Sequence, residues 1–189
     1  MIEELHLAER VADLASSAGI ETALIGATAL AFHRYVRATE DIDLGASIRD
    51  PFKAFQELER LVLASGLRIR VSHEDSLGGV ARIWEREDED GEPIFPVELV
   101  NFWNPLRPRR SPATAAIRDA ESIAATSLRC VRLPDLIALK CDAGGRSDLA
   151  DVVELLRQNP LADREVIRAR CRDYKLDVID QLIAEADAP

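Results

Sequence analysis

Between Ala23 and Leu44 the chain reads ALIGATALAFHRYVRATEDIDL, and the spacing of small, apolar and acidic residues there leaves few folds open. Ala23-Leu24-Ile25 is a short apolar strand, Gly26-Ala27-Thr28 a tight turn, Thr28–Tyr35 a short helix, and Asp41-Ile42-Asp43-Leu44 an acidic strand. Side chains alternate along a strand, so Asp41 and Asp43 share one face with their Cα atoms roughly 6.5–7 Å apart. Ile42 and Leu44 then point inward. Carboxylates held that close repel unless a cation stands between them. Hard divalent ions such as Mg²⁺ take ligands of this kind, usually one or two carboxylates plus substrate phosphates. The helix after the glycine turn presents unpaired backbone N–H groups and a positive dipole end, a seat for phosphate. Without the acids downstream, Gly26 would mark only a strand-to-helix turn.

Gly26-Ala27-Thr28-Ala29-Leu30 followed by Arg37-Ala38-Thr39-Glu40-Asp41-Ile42-Asp43-Leu44 resembles the signature of the nucleotidyltransferase superfamily with the DNA polymerase β-like fold. The nearest flavour is the small bacterial branch that includes the AbiEii-type toxins. Members pair a G-G/S turn with a D-x-D strand about a dozen residues later. The chain departs at Ala27, where Gly or Ser is usual; close backbone approach survives and a hydroxyl donor is lost. The resemblance implies a third carboxylate on a neighbouring strand. Glu98, the one charge in the apolar run Ile94–Phe102, matches in character and order, and a buried charge needs a partner or a metal. The alternative is a gatekeeper charge on an edge strand, which Pro96 would suit.

A second block, LIALK…GGRSDLADV from Leu136 to Val152, is similar to a family block in which a Lys and a downstream Asp approach the nucleotide. On that reading Lys140 holds triphosphate oxygens as a point charge, and Asp148 orients Lys140 or acts as a base. Asp148 and Asp151 also read as first-turn acids that oppose a helix dipole. Arg37 suits a phosphate or the carboxylates, and equally a structural ion pair.

Composition narrows the class. The chain has 189 residues, 47% hydrophobic and 31% charged, enough for one domain or one domain with a small helical extension. No apolar run reaches the length of a membrane span, and the acidic start Met1-Ile2-Glu3-Glu4 is unlike a secretory signal. Cys130, Cys141 and Cys171 are odd in number and widely spaced, which fits neither a zinc pattern nor a disulfide framework and points to a reducing cytoplasm. His6, His33 and His73 are too scattered for a histidine metal site. The net charge of −10 argues against extensive nonspecific binding to DNA. Arg107, Arg109, Arg110 and Arg118 form the one basic patch, read also as a solvated loop balancing nearby acids.

Periodicity supplies the remaining elements. Helices are expected at about 2–18, ended by Gly19, and from Asp50-Pro51 to about Ser65 with Asp50 as N-cap. The second buries Phe52, Phe55, Leu58, Leu61 and Val62. Strands follow at Arg68–Ser72, Val80–Glu87 and Ile94–Phe102, the acidic turn REDEDGE lying between the last two as a solvated hairpin tip. Asn104–Pro112 is a loop, with short strands near Ser122–Ala125 and Leu128–Val131. Helices begin at Leu133 and Ser147, and the tail Arg164–Ala186 makes two more, with Val166, Ile167 and Cys171 inward on the first.

The expected fold is mixed α/β (α+β): a nucleotidyltransferase-like mixed sheet flanked by helices over 1–132, with a C-terminal helical subdomain over 133–189. The resemblance implies transfer of a nucleoside monophosphate from an NTP to an acceptor hydroxyl on tRNA, protein or a small molecule, in a toxin–antitoxin setting with a cognate partner. Asp41, Asp43 and Glu98 would hold two Mg²⁺ ions, with Gly26, Ala27, Thr28, Arg37, Lys140 and Asp148 about the nucleotide. The competing expectation is an inactive antitoxin, a regulatory partner or a plain nucleotide-binding module of the same fold.

Overall fold

In the computed structural model, residues 2–72, 79–103 and 111–188 are described. Arg107, Arg109, Arg110 and most of the proline-rich loop lie outside them. A seven-stranded mixed sheet runs in the order β3-β4-β7-β2-β1-β9-β8. Its strands are β1 (Thr22–Leu24), β2 (Ile42–Ala46), β3 (Arg68–Ser72), β4 (Val80–Trp84), β7 (Val97–Asn101), β8 (Glu121–Ser122) and β9 (Arg129–Cys130). The pair β5 (Arg86–Glu87) and β6 (Pro93–Ile94) forms a separate hairpin.

The glycine turn sets the centre of this sheet. Chain direction reverses between β1 and β2, which pair antiparallel with Leu24 opposite Leu44. Helix α2 (Gly26–Phe32) fills the connection. β2 then pairs parallel with β7, bringing Ile42 to Val97 and Asp43 to Glu98. Ile42 and Leu44 are buried, as alternation requires. Helices α1 (Ile2–Ser17) and α3 (Pro51–Ala64) pack on each other, α1 also on β1, β2 and β7 and α3 on β3. The Asp50 carboxylate accepts the Lys53 N–H at the start of α3, and Gly19 leaves α1 at φ +75°.

Several boundaries differ from expectation. The run 80–87 is interrupted at Glu85 and makes β4 and β5, and the run 94–102 is likewise two strands, because Phe95 takes φ +52° ahead of Pro96. Pro96 has no N–H to give to a ladder, yet its carbonyl accepts the Ile42 N–H, so the break itself registers β7 against β2. β7 lies between β4 and β2, so Glu98 is not on an edge strand. Phe52 is exposed despite its helical neighbours Phe55 and Leu58 being buried; it falls off the apolar stripe. Val166 is exposed in the same way. Helix α4 (Ala113–Arg118) was not expected; six residues, four of them Ala-Thr-Ala-Ala, give periodicity too little length to register. The REDEDGE tip is a turn, with Asp88 accepting the Asp90 and Glu92 N–H groups.

The C-terminal helices are α5 (Leu133–Ala143), α6 (Arg146–Gln158), α7 (Arg164–Arg172) and α8 (Ile179–Ala186). α5 ends at Gly144 in the left-handed region, φ +67°, and packs against α4, α6 and α7. One hydrophobic core runs unbroken from Leu7 and Val11 through Leu44 and Leu99 to Leu136, Leu155 and Ile183. All three cysteines are buried free thiols. Among the described residues, no helix is long and apolar enough to cross a membrane.

Candidate active site

The β2–β7 register brings the three predicted acids together. Asp41, Asp43 and Glu98 each offer a carboxylate oxygen, and these oxygens lie within 4.8 Å of one another. Asp41 stands one residue before β2, where the Thr39 hydroxyl donates to its Oδ1 at 2.8 Å. Asp43 projects from the strand beside Gly26. A Cβ built on Gly26 would come within 1.9 Å of Asp43 Oδ2, and Gly26 holds φ +55°. Both facts demand glycine. The turn residue is there to admit a carboxylate.

Crowding shows in the electrostatics. Burial first, then the charges of Asp41 and Glu98, push the Asp43 carboxyl up to about 6, while Lys140 and Arg37 pull it down. Glu98 is steadied from the other flank: the Arg82 Nε donates to its Oε1 at 2.8 Å from the adjacent strand β4. A divalent cation suits this donor set, since carboxylate oxygens are hard ligands and the excess negative charge is local.

Lys140 and Asp148 also meet. Lys140 Nζ donates to Asp148 Oδ1 and to Asp151 Oδ2, each at 2.8 Å. Arg37 Nη1 reaches the same Asp151 Oδ2 at 3.4 Å. Two hollows flank the group. One, about 370 Å³, is bordered by Gly26, Asn101, Phe102, Trp103, Lys140 and Asp148. The other, about 640 Å³, is bordered by Ala27, Thr28, Phe32, Val36, Arg37 and Thr39. The six residues expected about a nucleotide are therefore divided: Gly26, Lys140 and Asp148 on the first, Ala27, Thr28 and Arg37 on the second.

Four participants were not anticipated. Asp151, read only as a helix-start acid, is a buried ion-pair partner; its offset of three from Asp148 places both on one helix face. Thr39 and Arg82 bond to Asp41 and Glu98, and for Arg82 the signal lies in a pairing register that sequence does not print. Buried Asn101 accepts the Ile48 N–H at 2.8 Å and so ties the end of β2 to the wall of the first hollow. Arg118, the described member of the basic patch, is bonded through both Nε and Nη2 to Asp119, as a charge-balancing surface would have it.

The model of the family described as "Nucleotidyl transferase AbiEii toxin, Type IV TA system" matches residues 12–188. No curated protein matches the sequence. The solution structure of the antibiotic-resistance factor ANT(2'')-Ia is similar at TM-score 0.55 and 18% identity, covering 95% of each chain. An antigenic nucleotidyltransferase-like protein from Paracoccidioides brasiliensis is similar at TM-score 0.57 and 15% identity, covering 98% of this chain and 92% of that one. At these identities the likeness is one of fold.

Proposed function

This chain belongs to the AbiEii nucleotidyl transferase toxin family of type IV toxin–antitoxin systems, and from that premise we propose that it moves a nucleoside monophosphate from an NTP to an acceptor hydroxyl, releasing pyrophosphate. The observation that carries this reading is the meeting of three carboxylates beside Gly26. Asp41, Asp43 and Glu98 would hold two Mg²⁺ ions. When bound, such ions lower the pKa of the attacking hydroxyl and neutralise the leaving phosphates.

The residues of the chain do the positioning. Thr39 fixes the Asp41 carboxylate, Gly26 makes room for that of Asp43, and Arg82 holds Glu98 on the acceptor side. Gly26 and Lys140 seat the triphosphate in the first hollow, with Asp148 beside Lys140. Ala27, Thr28 and Arg37 approach the same nucleotide from the second. Charge neutralisation at fixed positions supplies most of the acceleration in phosphoryl transfer. The acceptor is tRNA, protein or a small molecule, and the activity serves as the toxic half of a cytoplasmic toxin–antitoxin pair.

Non-catalytic nucleotide binding is the second reading, favoured by Ala27 at the usual Gly or Ser position and by the grip of Arg82 on Glu98. One experiment separates the two. The protein is incubated with Mg²⁺, each labelled NTP in turn, and total tRNA, cell protein or a small-molecule pool. Label transfer that disappears in Asp41→Ala supports the transferase; stabilisation by NTP with no transfer supports the binder.

A further inference from the structure

Lys140 is clasped by two carboxylates that differ in their surroundings. The Asp148 side chain is 26% exposed and borders the first hollow, in the first turn of α6. The Asp151 side chain is 4% exposed, one turn deeper, and shares its Oδ2 between Lys140 and Arg37. Lys140 lines one hollow and Arg37 the other, so Asp151 joins the two cations that oppose the charge on Asp43.

In the free protein the Lys140 ammonium has carboxylate partners on two sides. An incoming polyphosphate oxygen must take the place of one of them. Displacing Asp151 would leave a desolvated carboxylate with Arg37 alone, a costly outcome for a charge already out of water. Displacing Asp148 costs little, because its carboxylate can turn to solvent and remain in the first turn of α6, where the helix dipole favours it. We propose that Asp151 is the permanent anchor of Lys140 and Arg37, a positioning residue, and that Asp148 is an exchangeable partner which yields Lys140 to the polyphosphate of the bound nucleotide. This rests on the nucleotide-binding reading above and adds a division of labour between two acids three residues apart. Asp148 thereby sets how tightly polyphosphate binds, by competing with it.

Lys53 and Lys175 are the only other lysines, which makes the test direct. With lysine nitrogen isotopically labelled, the ammonium resonance of Lys140 is followed by NMR in the wild type, Asp148→Asn and Asp151→Asn, while inorganic tripolyphosphate or each NTP is titrated with Mg²⁺. The expected result is a Lys140 resonance that moves on titration, persists in Asp148→Asn and broadens away in Asp151→Asn. Polyphosphate affinity should rise roughly threefold in Asp148→Asn and fall roughly tenfold or more in Asp151→Asn. Asp151→Glu, which keeps the charge, restores the resonance and serves where Asp151→Asn does not fold. Equal weakening in both Asn variants overturns the proposal, as does a Lys140 resonance indifferent to Asp151. A resonance moved by tripolyphosphate in a protein that transfers no nucleotide sinks the transferase reading and leaves the exchange standing. A resonance moved by neither tripolyphosphate nor any NTP sinks the exchange.

Discussion

Asp43 carries the conflict between stability and function. Its carboxyl is pushed up to about 6 by burial and by Asp41 and Glu98, so the folded chain binds that proton more tightly than the unfolded chain does. Between about pH 3.8, the ordinary value, and about pH 6 the Asp43 contribution to stability is therefore lost as pH rises. At neutral pH the ionised carboxylate costs about 3 kcal/mol in the metal-free protein. Asp43→Asn should raise the metal-free Tm and abolish the further rise given by Mg²⁺, both read by calorimetry. Divalent-ion affinity should weaken progressively below about pH 6, because a proton on Asp43 competes with the ion. Gly26→Ala meets the same carboxylate at 1.9 Å with φ +55°; a loss of roughly 2–4 kcal/mol in denaturant unfolding is expected.

At the scale of elements, what could be read in the sequence was whatever a short local pattern encodes. The order apolar strand, glycine turn, helix, acidic strand is written in consecutive residues, and Asp50-Pro51 marks the start of α3 because N-cap chemistry is local. The cap of α7 is seen only in the structure, where Asp163 accepts the Glu165 and Val166 N–H groups. Asp163→Ala should cost about 1 kcal/mol in urea unfolding. The division of the 94–102 run depended on a left-handed Phe95, which apolar periodicity hides. Arg82 meets Glu98 only through the antiparallel β4–β7 register, a long-range fact, and Asp151 reads locally as a helix-start acid, its bond to Lys140 arising only where α5 packs against α6. The roles proposed for Lys140 and Asp148 came from a family pattern; composition alone would have called them surface charges.

Across the molecule, the sheet and the C-terminal helices are held together by charge as well as by the common core. Asp135, buried on α5, accepts from Arg132 at 2.9 Å and pairs with Arg170 of α7 at 2.5 Å, while Arg118, Arg132 and Arg170 all reach Asp119. Those arginines hold the Asp119 carboxyl down to about 2. Asp135→Ala would leave Arg170 with only the longer contact to Asp119 at 3.4 Å and Arg132 without its buried partner, and a loss of about 3 kcal/mol in global unfolding is expected. Since α5 also presents Lys140, loosening this tie should weaken nucleotide binding as well as stability. The whole account turns on a cation shared by Asp41, Asp43 and Glu98, and Mn²⁺ reports on that most directly. In an electron paramagnetic resonance titration, saturable Mn²⁺ binding should be present in the wild type and lost in each of Asp41→Asn, Asp43→Asn and Glu98→Gln. Binding left undiminished in Asp41→Asn and Asp43→Asn would contradict it.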